Sequence, residues 1–367
     1  MKKIRILLIG MSSNLGGIET YLYNLYKNSN KKRFEFSFLV FDYGKKVCFE
    51  EELTKEGAKF YKITPRTKNY FKFLKELKEV YQKNEFDYIH LNLMDFSCFE
   101  RIAYANKYSK AKIIIHSHNA GFGKNVSIKT RLFHKIGRYF IKNIPYLKVA
   151  CGVDAGKFMF DNKEYTIFNN GIDLEKFKFN IENRKEIRKE LGLNDNVTVI
   201  GLIAKLELQK NPLFLIDIFY EYQKINGNSK LVLVGEGSLK CQMEEKIKNY
   251  KLEEKIIFLG RRNDAYKIYS AFDIFLMPSL YEGLSISLVE SQVNGLKCYT
   301  SDGVDKNSNI TGNVEFLSLN NPANYWANKI INNKNIRDNK VFDKIPNEFN
   351  SKNSYKKVFE FYEENLK

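Results

Sequence analysis

Two carboxylates stand eight residues apart in the stretch Pro278-Ser-Leu-Tyr-Glu282-Gly-Leu-Ser-Ile-Ser-Leu-Val-Glu290. The run before it, 273–277, reads as a buried strand, and Pro278 with Gly283 marks a tight strand-to-helix turn. Between Gly283 and Gly295 the one charge is Glu290, set among Leu284, Ile286, Leu288, Val289 and Val293. An acid on so apolar a helix costs on the order of several kcal/mol unless a partner hydrogen-bonds it. Ligand hydroxyls at the carboxyl end of a parallel sheet are one such partner. A helix-start acid (Glu282) and an internal ion pair (Glu290) are the plainer alternative.

Two cations have a matching position. Lys205 and Lys210, in Ile203-Ala-Lys205-Leu-Glu-Leu-Gln-Lys210-Asn211, flank a loop leaving the strand expected at 197–203, and Pro212 suits the first turn of the next helix. Ammonium groups there could pair with phosphate oxygens, or could be solvated surface lysines. Gly16-Gly17 follows the first strand and opens a helix, where two glycines let a phosphate approach the backbone and the helix N-terminus favours anions. A simple turn would look the same. His116-Ser-His118-Asn119 ends the strand expected at 112–117, where ligand-facing residues sit in open α/β sheets; hydrogen-bonded structural histidines are the other reading. The chain has no D-x-D, no G-x-G-x-x-G, no Walker A sequence and no C-x-x-C. No metal or other cofactor is expected, so positive charge for a phosphate must come from side chains and backbone dipoles.

The E-x7-E spacing resembles the signature of retaining family-four glycosyltransferases with the GT-B fold. The loop 203–211, Asn170-Gly-Ile-Asp-Leu-Glu-Lys-Phe177, Gly235-Glu-Gly237 and Gly16-Gly-Ile-Glu-Thr20 match in the expected order, over roughly residues 3 to 320. The resemblance implies two Rossmann-like, doubly wound parallel-sheet domains facing a cleft, and a sugar moved with retention from a nucleotide donor. It assigns Glu282 to the donor sugar's hydroxyls, Glu290 to the ribose, and the amides of Gly283, Leu284 and Ser285 to the diphosphate. Lys205 and Lys210 would hold phosphate oxygens, His118 would lie beside the transferred sugar, and His118, Glu282 and Lys210 would carry catalysis. Gly16, Gly17 and Gly235 would shape the donor site, with Arg262, in Gly260-Arg261-Arg262-Asn263, near the base. The family usually has Gly-Arg where this chain has Ala204-Lys205, which replaces a bidentate fork with a point charge. Uridine is the nucleoside such families usually use. Hexosyl or N-acetylhexosaminyl transfer in capsular or exopolysaccharide synthesis is the activity implied.

These residues need elements to position them. At 367 residues the chain is too long for one typical core. Short β-rich runs alternate with helical stretches in both halves, which implies parallel sheets covered on both faces. The expected domains are 1–180 and 181–350, joined through the charged segment 174–195, with a helix in 351–367 returning to the first. No apolar run nears the ~18 residues that span a bilayer. The opening MKKIRILLIGM reads as a buried strand, because it lacks the length and cleavage site of a signal peptide. Five scattered cysteines point to a reducing cytoplasm without a zinc site.

Of a net charge of +17, residues 1–180 carry +15, and residues 101–150 hold eleven Lys or Arg with no Asp or Glu. Such a block needs an anionic partner or a solvated face. From Lys124 to Lys148, Ile128, Leu132, Phe133, Ile136, Tyr139 and Phe140 recur at helical spacing among Lys129, Arg131, Lys135, Arg138 and Lys142. That pattern fits a basic amphipathic helix at an anionic membrane surface, or an ordinary helix with its apolar face in the core. A lipid-pyrophosphate or other anionic glycan carrier would suit the first domain, and peripheral attachment to the inner face of the cell membrane follows. Two rivals remain: a nucleotide-sugar epimerase of the same architecture, and a polyanion-binding protein. The second is disfavoured because no nucleic-acid module is recognisable.

Overall fold

The structure is a computed structural model. It describes residues 2–14, 16–119, 121–122, 126–161, 163–332, 337–338 and 340–366; Lys124 and parts of the Asn/Lys-rich stretch near 332–353 lie outside the described residues. The chain forms two units, Met1–Gly171 with Glu348–Lys367, and Ile172–Asn347.

The first unit holds a seven-stranded sheet in the order Lys59–Ile63, Phe34–Phe41, Ile4–Ile9, Tyr88–Leu93, Lys112–Ser117, Leu147–Ala150, Thr166–Ile167, parallel throughout. Its central strands are buried along nearly their whole length because helices cover both faces. One face packs Tyr21, Leu22 and Leu25 of the helix Gly17–Lys27 with Tyr355, Val358 and Tyr362 of the helix Ser351–Glu364. The other packs Phe73, Leu77, Ile102 and Met159. The strand order reverses between Ile4–Ile9 and Tyr88–Leu93, which opens a crevice at their carboxyl ends.

The second unit repeats the plan with six parallel strands, ordered Ile256–Gly260, Ser229–Val234, Thr198–Ile203, Ile274–Met277, Lys297–Ser301, Val314–Leu317. Here the order reverses between Thr198–Ile203 and Ile274–Met277. Trp326, the chain's single tryptophan, is fully buried in this core. The segment expected to be a charged join instead contains the helix Ile181–Glu190, capped by the Asn180 side chain. It buries Ile187, and Arg188 reaches the Asp273 carboxylate at 2.6 Å. The division between units therefore falls ahead of that segment, at Gly171/Ile172. The helix Val153–Phe160 and the two-residue strand Thr166–Ile167 complete the first unit and were not read from the sequence. Among the described residues no helix is long and apolar enough to cross a membrane.

Candidate active site

The second unit's switch point brings together the loop after Thr198–Ile203 and the loop after Ile274–Met277. In the first loop a single 3-10 turn, Leu208–Lys210, ends at Asn211, whose left-handed backbone (φ 52) an asparagine tolerates, and Pro212 then starts the helix Pro212–Ile225. In the second, the Glu282 amide donates to the Gly303 carbonyl at 3.1 Å and its carbonyl accepts from the Asp305 amide at 3.0 Å. The two loops are tied by the Leu280 amide, which donates to the Gln209 carbonyl at 2.8 Å. Their side chains then meet: Lys210 Nζ lies 2.5 Å from Glu282 Oε1, and Gln209 Nε2 donates to the same oxygen at 2.9 Å. The two charged side chains are 16% and 12% exposed, enough shelter to strengthen the attraction and enough access for a ligand.

Three backbone donors follow. The amides of Gly283, Leu284 and Ser285 have no hydrogen-bond acceptor among the described residues. Ser285 is the N-cap of the helix Ile286–Val293, yet its Oγ donates to Met277 Sδ at 3.5 Å instead of capping the first turn. A helix N-terminus with unspent amides is an anion seat. One turn on, the partly buried Glu290 accepts a hydrogen bond from the Tyr269 hydroxyl at 2.8 Å. Burial pushes the Glu290 carboxyl up to about 7, against the Tyr269 hydrogen bond and the Lys176 charge, which favour the ionised form. Among the described residues the partner of this acid is thus a tyrosine hydroxyl and not an ion pair.

Lys205 is exposed and makes no ion pair among the described residues. Its loop is pressed against the turn at Gly235 and Gly237. A Cβ at Gly235 (φ +130) would sit 1.9 Å from the Ala204 carbonyl oxygen, and one at Gly237 would sit 2.2 Å from that of Leu206. Glu207 fastens the contact by accepting from the Ser238 amide at 2.9 Å and hydroxyl at 2.5 Å. Arg262 is tied to carboxylates of its own surroundings. Its guanidinium is committed to Asp264 at 2.7 Å and Glu190 at 2.5 Å, and shares no bond with the Lys210–Glu282 cluster. A carboxylate two residues ahead and another on a neighbouring helix outcompete solvent for so geometric a donor.

In the first unit, His118 Nε2 lies 2.9 Å from Asn92 Oδ1. The Asn92 amide nitrogen donates to the Ile9 carbonyl at 3.2 Å, so its oxygen must accept, which assigns the proton to His118 Nε2 and leaves Nδ1 as an acceptor. Burial holds the His118 pKa down at about 3, so the ring is neutral at pH 7. His116 lies beside it, ring centroids 4.0 Å apart, and pairs through Nδ1 with His90 Nε2 at 3.3 Å. His90 in turn meets the Tyr362 hydroxyl at 2.6 Å. Gly16 precedes the helix Gly17–Lys27 in extended backbone, and a Cβ on Gly17 would meet nothing within 4 Å. The first turn already carries a carboxylate, Glu19, bonded by Ser12 Oγ at 2.6 Å. The N-terminal attraction for an anion is therefore partly spent.

Gln209, Tyr269 and Asn92 belong to these clusters and were missed in the sequence. Gln209 sits beside a motif lysine, but Tyr269 and Asn92 reach their partners from other strands and helices, which no local spacing reports. Among the described residues no group of three or more His, Cys, Asp or Glu is placed to hold a metal ion, and no disulfide joins any of the five cysteines.

Two parallel-sheet units, each with side chains gathered at its switch point, define the GT-B class of glycosyltransferases, and the chain belongs to glycosyltransferase family 4. Residues 15–176 match that family, and residues 183–338 match the family described as glycosyl transferases group 1. The chain is 32% identical to the Bacillus subtilis glycosyltransferase EpsF, over 90% of this chain and 87% of EpsF. It is 24% identical to an Escherichia coli galactosyltransferase named for UDP-Gal and GlcNAc-diphosphoundecaprenol, over 98% and 97% of the two chains. Its fold matches Anabaena HepE, solved with UDP and glucose, at a TM-score of 0.78 and 16% identity, over 98% and 99% of the two chains.

Proposed function

We propose that this glycosyltransferase moves a hexosyl or N-acetylhexosaminyl group from a UDP-sugar to a glycan or lipid-linked acceptor, with retention and without a metal ion, in bacterial surface polysaccharide synthesis. The observation that carries the reading is the Lys210–Glu282 pair beside the three unspent amides of 283–285. Lys210 and the amides supply positive charge for a diphosphate, with exposed Lys205 within the same loop, and Glu282 supplies an acceptor for sugar hydroxyls. Glu290 takes the ribose hydroxyls and Gly235 shapes the loop. Leaving-group charge builds on the diphosphate oxygens, where these donors would stabilise it without a divalent cation. His118, neutral with Nδ1 open, is assigned to the transferred sugar.

In the step itself the bond from the anomeric carbon to the phosphate oxygen breaks. The acceptor oxygen bonds to that carbon from the same face, and its proton passes to the departing phosphate. No separate protein base is then required. The relatives named for undecaprenyl-linked acceptors support a lipid-diphosphate carrier, and the basic first unit supports work at the inner face of an anionic cell membrane.

Calorimetric titration with UDP, GDP, ADP and CDP in EDTA tests the donor site. Binding of UDP alone, weakened by roughly ten- to a hundredfold in Lys210→Ala, is the result expected. No binding by any of the four would overturn the reading, and sugar epimerisation without an acceptor would replace it.

A further inference from the structure

The helix Ile128–Ile141 is turned the opposite way from an ordinary surface helix. Its buried residues are His134, Gly137 and Ile141, on one face at about 100° per residue. Five of its large apolar side chains point outward: Ile128 is 84% exposed, Tyr139 67%, Phe140 60%, Leu132 55% and Phe133 40%. The alternative that this apolar face packs into the core is thereby excluded.

Two contacts set the rotation. A Cβ on Gly137 would fall 2.1 Å from the Phe96 carbonyl oxygen, so the helix backbone lies directly on Phe96. His134 Nδ1 accepts from the Phe96 amide at 3.2 Å, and its ring stacks on Phe96 at 5.5 Å. Of its large hydrophobes only Ile141 is buried; Phe140 stacks on Phe99 at 5.2 Å but keeps most of its surface exposed, and Ile128, Leu132, Phe133 and Tyr139 are left on the surface.

The exposed apolar stripe runs the length of the helix, roughly 20 Å at 1.5 Å per residue. Lys135 and Lys142 border it and Lys129 lies within it, all three exposed and without an ion pair among the described residues. No acid occurs anywhere in residues 101–150. Resting on the proposed lipid-linked acceptor, we infer that this helix inserts its outer face into an anionic bilayer, with Ile128, Leu132, Tyr139 and Phe140 entering the acyl boundary. An exposed apolar stripe bordered by long cations suits a fluid anionic headgroup layer, which adapts to its shape and neutralises its charge. Binding is then apolar as well as electrostatic.

The full chain offers a clean reporter, since its one tryptophan, Trp326, is buried in the second unit. An Ile128→Trp variant is mixed with vesicles of phosphatidylcholine containing about 30% phosphatidylglycerol, with and without brominated acyl chains. A blue shift and bromine quenching are expected, and Leu132→Ser with Phe140→Ser is expected to weaken vesicle binding by roughly tenfold or more. Binding that raised salt abolishes, with no quenching and no effect of the serine variant, would overturn insertion. So would a concentration-dependent dimer in sedimentation that the serine pair dissolves. The UDP titration is run on the same variants: retained UDP binding separates a failure here from a failure of the glycosyltransferase reading.

Discussion

The Lys210 ammonium and the Glu282 carboxylate, 2.5 Å apart, neutralise each other across the second unit's switch point. A diphosphate would recruit Lys210 and a sugar hydroxyl would recruit Glu282, so the pair holds both groups in place until a donor arrives. A hydrogen bond to a charged group contributes about 1.5–3 kcal/mol, so Lys210→Ala is expected to weaken UDP binding by roughly ten- to a hundredfold. Glu282→Gln should behave differently. It frees Lys210 and should leave UDP affinity unchanged or higher, while turnover of the UDP-sugar collapses. Calorimetry with UDP and a transfer assay on both variants check this; equal losses of UDP affinity would count against separate roles.

The Glu290 carboxyl gives the site a pH dependence. Its pKa is raised by burial from 4.5 to about 7, and a ribose hydroxyl would favour the ionised form. UDP binding should therefore expel a proton near pH 6, and affinity should fall by up to about tenfold per pH unit below 7. The stability of the free protein runs the other way. The folded state holds the proton more tightly than the unfolded chain, so stability is greatest below pH 4.5 for this group and declines as pH rises to about 7. Glu290→Gln should flatten both trends. Titrations in buffers of different ionisation enthalpy and melting curves from pH 5 to about 8 read the two effects.

Much of this was legible in the sequence, and the limit has a physical basis. Strands such as Ile4–Ile9 and Ile274–Met277 show as apolar runs because parallel strands are buried on both faces. The 282–290 segment shows because a lone acid in an apolar helix is conspicuous. The helix Ile181–Glu190 hid because most of its residues are charged, and its stability depends on Arg188 meeting Asp273 far along the chain. The partner of Arg262 hid for the same reason: Glu190 lies far from it along the chain and only the fold brings the two together. Long-range pairing of polar groups leaves no local period to read.

Gly235 tests whether loop packing governs the site. With φ +130 and only 1.9 Å between its notional Cβ and the Ala204 carbonyl oxygen, Gly235→Ala forces the 204–206 backbone to move. That segment carries Lys205 and leads to Lys210. The variant should lose about 1–3 kcal/mol of stability and weaken UDP binding beyond that of Lys205→Ala alone. Unchanged melting and unchanged affinity would show that the loop yields freely.

Asp273 holds the second unit's frame by balancing cations. Its carboxylate receives Arg184 at 2.7 Å and Arg188 at 2.6 Å, and its Oδ2 also accepts from the Val199 amide at 2.8 Å. The same arginines spend further donors on the carbonyls of Ser270, Ala271 and Phe272, at the end of the helix Ala265–Ala271. Arg337 adds a bond to the Phe272 carbonyl at 2.6 Å. Removing the carboxylate would strand Arg188, which is 2% exposed, without a counter-charge. Breaking such a pair costs about 3–5 kcal/mol, so Asp273→Asn should lower the urea midpoint sharply and destabilise the edge between Val199 and the strand Ile274–Met277. Arg184→Lys, at a partly exposed position, should cost far less. Urea unfolding of the two variants decides it, and equal small losses would mean that the carbonyls alone hold the arginines.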